Sequence, residues 1–258
     1  MKTINSWRNR EAITKKGRLL IGYLLAGYPS REDSFLQIQN CDIAGLDVFE
    51  IGYPASDPAS DGEVIRRAHR LVDSGISQDL DYWKRLRAAT EKPIWVMGYQ
   101  KDLVESGFYR KLAKNGIADA FVVPDMTFEQ HIALAKEAAN DQVDVLGFVN
   151  PRMDEEEQER CFAEFALVYH QLYAGPTGMA GTSEDFRATL ARAHTHAHVH
   201  SFAGFGISTP ERIAELLESG FDGTIVGTAM IKKLNNSLDE LTAFVRQLAK
   251  PVREAENL

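Results

Sequence analysis

Eight short apolar runs recur along the chain, each followed by a helix-like pattern. They lie at 19–26, 47–51, 93–98, 119–123, 143–149, 166–172, 199–203 and 223–227. Continuous apolar runs suit strands buried on both faces, as in parallel sheets. Helical patterns are predicted over 31–44, 63–74, 78–90, 105–115, 127–139, the acidic stretch after 154, 183–194, 210–219, 229–233 and 237–249. The intervening connections are short enough for βα units. Eight such units predict one (β/α)8 TIM barrel spanning residues 1–258, with a doubly wound open sheet as the alternative that shares this alternation. Residues 4–15 mix apolar and charged positions as a short amphipathic helix does, placed to plug the barrel before its first strand.

Composition agrees with that architecture and narrows the function classes. A chain of 258 residues with 44% hydrophobic and 26% charged residues has the balance of a soluble globular protein. Its net charge of -8 argues against a nucleic-acid surface. Cys41 and Cys161 both fall in helix-like stretches, which argues against a disulfide framework. The first residues lack the apolar segment of a signal peptide, and no run is long enough to span a bilayer. Together these features read as a cytoplasmic protein with no membrane partner.

The most informative stretch runs from Asp47 to Gly62, where a strand passes into a loop rich in Gly, Pro, Ser and Asp. Glu50 stands among Val48, Phe49 and Ile51. It therefore either faces a pocket or is buried at a cost of several kcal/mol unless paired. The loop adds Asp57 and Asp61, and its prolines limit its freedom. A carboxylate on a rigid strand opposed by one on a loop can act as an acid–base pair, while a satisfied buried glutamate beside a solvated acidic turn is the plainer reading.

In a barrel, function gathers at the carboxyl ends of the strands. Glu50, Asp61, Tyr99, Asp125, Tyr169, Gly178, Gly206 and Gly227 all lie at or just after a predicted strand end. Three late glycine-bearing turns, Gly175-Pro-Thr-Gly178, Gly204-Phe-Gly206-Ile-Ser208 and Val226-Gly227-Thr228-Ala229, let backbone N–H groups approach an anion. The third opens a short helix, and a phosphate site after the last two strands is common in such barrels. The lack of a P-loop lysine or a G-x-G-x-x-G spacing argues against a nucleoside triphosphate or a dinucleotide.

These motifs resemble one family. The run E-I-G-Y-P-A-S-D-P-A-S-D-G from Glu50 is similar to the E-[LIV]-G-x-P-x-S-D-P-x-A-D-G signature of the tryptophan synthase α subunit. The turns G-P-T-G, G-F-G-I-S and V-G-T-A resemble that family's G-V-T-G, G-F-G-I-S and V-G-S-A. A-G-Y-P-S near the start and V-P-D at 123–125 extend the match from about residue 20 to 230. The resemblance implies a retro-aldol cleavage of indole-3-glycerol phosphate to indole and glyceraldehyde 3-phosphate, without metal or organic cofactor. It implies Glu50 as general acid and base and Asp61 as the carboxylate that meets the indole N–H. It also implies Tyr99, Tyr169, Thr177 and Phe205 as substrate-binding residues, with Gly178, Gly206, Gly227 and Thr228 around the phosphate. It implies Thr177 as the threonine of a loop that closes over the site.

The departures bear on partner and substrate. Gly22-Tyr23-Leu24-Leu25 stands where the family has P-[FY]-x-T, so a threonine near the carboxylate is lost. Glu63 replaces a usual proline, Ala55 a phenylalanine and Ser60 an alanine. Tyr99-Gln-Lys101-Asp102 replaces Y-x-N-P, and Phe148-Val-Asn150-Pro151 varies the A-P-T segment. The second loop and the Y-x-N-P turn are surfaces by which family members meet a β subunit, so that partner is the expectation these changes weaken. The alternatives are a paralogue acting on another glycerol-phosphate-bearing substrate and a non-catalytic subunit that only binds a partner.

One further pattern, His194, His196, His198 and His200, puts alternate imidazoles on one strand face, as a metal site does. It straddles the predicted helix–strand junction at the far end of the barrel, so a solvated turn is the favoured reading and no metal is expected. Trp95 and Phe121 read as core, and the acidic run at 154–159 as a solvated helix start, where the helix dipole favours carboxylates.

Overall fold

The computed structural model describes residues 3–58, 60–173 and 186–255. Nine parallel strands form one sheet: β1 Leu19–Leu25, β2 Val48–Gly52, β3 Ile94–Met97, β4 Ala120–Val122, β5 Asp144–Val145, β6 Gly147–Val149, β7 Leu167–Gln171, β8 His200–Gly204 and β9 Gly223–Val226. Their order is β5-β4-β3-β2-β1-β9-β8-β7-β6. The two ends of that order, β5 and β6, are separated in the chain only by Leu146, so the sheet closes on itself. Taken as one interrupted strand they give the eight expected, and the fold is a TIM barrel.

The interruption departs from the continuous run expected over 143–149. Asp144 and Val145 pair with β4, whereas Gly147, Phe148 and Val149 pair with β7. At Gly147 the following helix presses in: a Cβ there would lie 2.7 Å from Cys161 Sγ and 2.8 Å from the Phe165 ring.

Helices surround the barrel. They are α1 Trp7–Lys16, α2 Arg31–Ala44, α3 Glu63–Leu71, α4 Leu80–Arg87, α5 Phe108–Lys114, α6 Phe128–Ala138, α7 Glu155–Glu164, α8 Phe186–Ala193, α9 Pro210–Glu218, α10 Thr228–Leu234 and α11 Leu238–Ala255. Local chemistry sets many of their ends. Ser30, Thr127, Asp154 and Thr209 each accept a backbone N–H at a helix start, and Gly45 in the left-handed region ends α2. The helix expected over 105–115 is shorter and follows a π-turn at Gln100–Val104. The last helix runs past its expected end and through Pro251, because it buries Leu248, Ala249 and Val252. That packing, against α9 and α2, outweighs one lost helical hydrogen bond.

The plug expected from residues 4–15 is α1, and it is more polar than its amphipathic pattern suggests. Asn9 is buried on it. Its amide nitrogen donates to the Asp119 carbonyl at 3.1 Å and to Asp144 Oδ2 at 2.9 Å. Its oxygen accepts from Trp95 Nε1 at 2.9 Å. Ser6 Oγ donates to Asp119 at 2.8 Å, and the backbone N–H of Asn5 donates to Asp144 at 2.6 Å. Asp119 and Asp144 stand at the amino ends of β4 and β5, so α1 seals the amino-terminal mouth and leaves the other mouth for chemistry.

Candidate active site

The site is built on β1, β2 and β7 at their carboxyl ends. The register of β1 against β2 pairs Tyr23 with Glu50, which puts both side chains on the same face. Both line a narrow cavity of about 50 Å³, together with Asp61, Phe148, Tyr169 and Phe205. Ser60, Ile65, Met97, Val122, Pro124 and Gly227 line it as well. Ligand pockets typically measure about 300–1,000 Å³, so this cavity is smaller than most.

Glu50 is buried, and its carboxyl is pushed up to about 8, first by burial and then by the charge of Asp61. At neutral pH it carries its proton. Asp61 is also buried and follows the loop that leaves β2. Tyr99 Oη donates to Asp61 Oδ2 at 2.8 Å and accepts the Ser60 N–H at 3.2 Å. Burial and the neighbouring Asp61 keep the Tyr99 phenol protonated. Tyr99 therefore holds the Asp61 loop, and the cavity wall is built by other residues. Asp125, also at a strand end, accepts the Gln100 N–H at 2.9 Å and ties two loops together.

Aromatic rings form the opposite wall. Phe148 stacks on Tyr169 with centroids 4.9 Å apart and planes 15° apart, and Phe205 meets Tyr169 edge-on at 6.0 Å. Phe205 holds a positive φ of 75°, an unusual conformation for a bulky residue, directly before Gly206 at 72°. Two glycines make room for the inward tyrosines. A Cβ on Gly52 would lie 2.2 Å from Tyr23 Oη, and one on Gly204 would lie 2.2 Å from Tyr169 Oη.

Near the last strand, Gly227 lines the cavity and caps α10. Among the described residues, the buried Thr228 Oγ1 that follows it has no hydrogen-bond partner. Gly206 sits beside Tyr173 at the turn after β8 and outside the cavity wall. Thr177 and Gly178 lie outside the described residues.

Two site residues escaped the sequence reading. Tyr23 was visible as part of an apolar strand and at the aromatic position of the P-[FY]-x-T pattern, and its pairing with Glu50 is what gives it a place in the site. His69, on α3, touches Tyr23, and nothing local marks it. The histidine run is dispersed among separate partners. His194 Nε2 meets the Gly220 carbonyl at 3.2 Å, His196 meets Glu159 at 2.8 Å and His198 meets the Phe162 carbonyl at 3.0 Å. His200 lies 3.8 Å from Asp222. Among the described residues no group of three or more His, Cys, Asp or Glu is arranged to hold a metal ion. Nor is any described helix long and apolar enough to cross a membrane.

A carboxyl that keeps its proton near neutrality, set against a second carboxylate where barrel strands end, is equipment for moving protons. The class is a TIM-barrel enzyme with acid–base chemistry. Residues 10–258 match the family model described as tryptophan synthase alpha chain. The tryptophan synthase alpha chain of Chloroflexus aggregans is 31% identical over 252 residues, covering 92% of this chain and 93% of that one. That of Methanopyrus kandleri is 32% identical, covering 91% and 88%. In solved structures the fold recurs in Mycobacterium tuberculosis tryptophan synthase, with a TM-score of 0.84, 24% identity and 98% and 99% coverage. It recurs also in a tryptophan synthase complex from Pyrococcus furiosus, with a TM-score of 0.77, 23% identity and 90% and 98% coverage. The chain belongs to the tryptophan synthase alpha chain family and is a carbon–carbon lyase of that type.

Proposed function

We propose that the chain, acting as one barrel domain, cleaves indole-3-glycerol phosphate to indole and glyceraldehyde 3-phosphate in tryptophan biosynthesis. The observation that carries this reading is Glu50, buried on a cavity that Asp61 also lines at the carboxyl end of the barrel, where burial and Asp61 push its carboxyl up to about 8.

The protons and electrons balance through Glu50. Its proton passes to the ring carbon that bears the glycerol chain. The ring nitrogen becomes cationic, and its N–H is met by the Asp61 carboxylate. The carbon–carbon bond then breaks, and its electron pair restores the aromatic ring. The adjacent glycerol hydroxyl becomes the aldehyde carbonyl and gives its proton back to Glu50. A carboxyl pushed up to about 8 suits both halves, because it donates readily and its anion is basic enough to recover the proton.

The aromatic wall of Phe148, Tyr169 and Phe205 receives the indole. Tyr99 serves the substrate indirectly, by holding Asp61 in place. Gly206, Gly227 and Thr228, with Gly178, receive the phosphate, which supplies binding energy remote from the reacting bond. Thr177 is assigned to the substrate by its likeness to the family's threonine. The protonated indole is its own electron sink, so no cofactor is written into the step. A tryptophan synthase β subunit is the proposed protein partner, through the loop after β2 and the turn after β3, and the place of work is the cytoplasm.

The test is indole release from indole-3-glycerol phosphate by the purified chain, with and without added β subunit. Release accelerated by β establishes both reaction and partner. Release unaffected by β establishes the reaction and removes the partner. No release in either case, with glycerol phosphate still bound, overturns the reaction in favour of another glycerol-phosphate-bearing substrate.

A further inference from the structure

His69 and Tyr23 form a short chain of hydrogen bonds that ends in the cavity. The backbone N–H of Ala55, in the loop after β2, donates to His69 Nδ1 at 3.1 Å. That bond requires a bare Nδ1, so in the neutral ring the proton sits on Nε2. His69 Nε2 lies 3.4 Å from Tyr23 Oη. The imidazole must then be the donor and the phenol oxygen the acceptor. Burial lowers His69 to about 4, so the ring stays neutral and this tautomer persists through the physiological range. The phenol proton of Tyr23 is left for another acceptor.

Position says where that proton can go. Tyr23 lies opposite Glu50 in the β1–β2 register, and both line the cavity with Asp61. The bare Gly52 lets the ring lie along the carboxyl end of β2, where any larger residue would collide with the hydroxyl. Burial and then the charge of Asp61 hold the phenol above its ordinary range, so Tyr23 remains a donor. The other charged group acting on His69 is Asp102.

We propose that Tyr23 is a catalytic hydrogen-bond donor beside Glu50, serving the glycerol oxygen that becomes the aldehyde carbonyl, and that His69 is a positioning residue that fixes the direction of its hydroxyl. The assignment rests on the reaction proposed above. Tyr23 transfers no proton. It donates a hydrogen bond that strengthens as the oxygen gains negative character while its proton leaves for Glu50. His69 also links this donor to the Asp61-bearing loop, because its other nitrogen holds the Ala55 backbone.

The experiment compares Tyr23→Phe, His69→Leu and His69→Gln in the full chain. Tyr23→Phe keeps the ring and removes the donor. Its kcat for indole release is expected to fall about 10- to 100-fold with KM changed less than about threefold. His69→Leu is expected to lose about tenfold in kcat. His69→Gln places an amide donor near Nε2 and is expected to recover most of that loss. Equal kcat in Tyr23→Phe and the parent chain overturns the assignment, and so does failure of His69→Gln to exceed His69→Leu. Carbon-13 NMR titration of Glu50 needs no turnover. As Glu50 ionises, the free Tyr23 proton is expected to turn to its carboxylate, so Tyr23→Phe is expected to raise the Glu50 midpoint by about half a unit or more. If the parent chain releases no indole, the reaction falls, while a raised Glu50 midpoint still upholds Tyr23 as the donor in this site and an unmoved one removes it.

Discussion

Glu50 keeps its proton at a pH where an exposed glutamate has lost one, and that has consequences for stability as well as for chemistry. Its folded value of about 8 lies above the ordinary 4.5, so the native state binds more protons than the unfolded state between those limits. Its contribution to stability is therefore favourable at low pH and is lost as pH rises toward 8. Glu50→Gln mimics the protonated form permanently. We expect it to abolish indole release and to melt higher than the parent chain at pH 8–9, by on the order of a few kcal/mol at most. The difference should vanish near pH 4.5, and thermal unfolding across pH checks the sign. In the parent enzyme kcat/KM is expected to decline above about pH 8 as Glu50 ionises. Tyr99 makes a second case at this scale. Tyr99→Phe removes the 2.8 Å bond to Asp61, and activity assays should show a loss of about tenfold or more, reversed in no degree by added phosphate.

The strands place the site by pairing small residues with large ones across a register step. Tyr169 on β7 leans over Gly204 on β8, as Tyr23 on β1 leans over Gly52 on β2. A methyl at Gly204 would meet the phenol oxygen at 2.2 Å, so Gly204→Ala forces Tyr169 and its stacked partner Phe148 out of place. Denaturant unfolding should register a loss of about 1–3 kcal/mol, the usual cost of overpacking. In combination with Tyr169→Ala the loss should shrink well below the sum of the single losses, because the collision has gone. The same pairing explains why the apolar strand runs were legible and Tyr23 was not. A single strand shows what is buried, whereas its neighbour across the register is chosen by closure of the sheet.

Across the whole molecule, the two mouths of the barrel are handled oppositely. The amino-terminal mouth is closed by α1, whose Asn9 satisfies Trp95, Asp144 and a backbone carbonyl at once. Asn9→Ala leaves the indole N–H and a buried carboxylate without that partner. We expect a loss of about 2–4 kcal/mol in urea unfolding with KM unchanged, since the lesion lies at the end remote from Glu50. The carboxyl-terminal mouth carries Glu50 and Asp61 on a small cavity, and the histidines that suggested a metal fall at the entry to β8, at the other end.

The chain's own pattern determined the alternation of strands and helices, the barrel they form and the strand-to-loop stretch carrying Glu50 and Asp61. Periodicity and turn chemistry act over a few residues, so they are written locally. The interruption at Leu146, the role of Tyr99 as a brace on Asp61, and the Tyr23–His69 chain were decided only by the folded molecule. Each depends on groups far apart in sequence, brought together by sheet closure, and on burial that changes what a carboxyl, a phenol or an imidazole does. Burial is a property of the whole packing, and no short stretch of residues carries it.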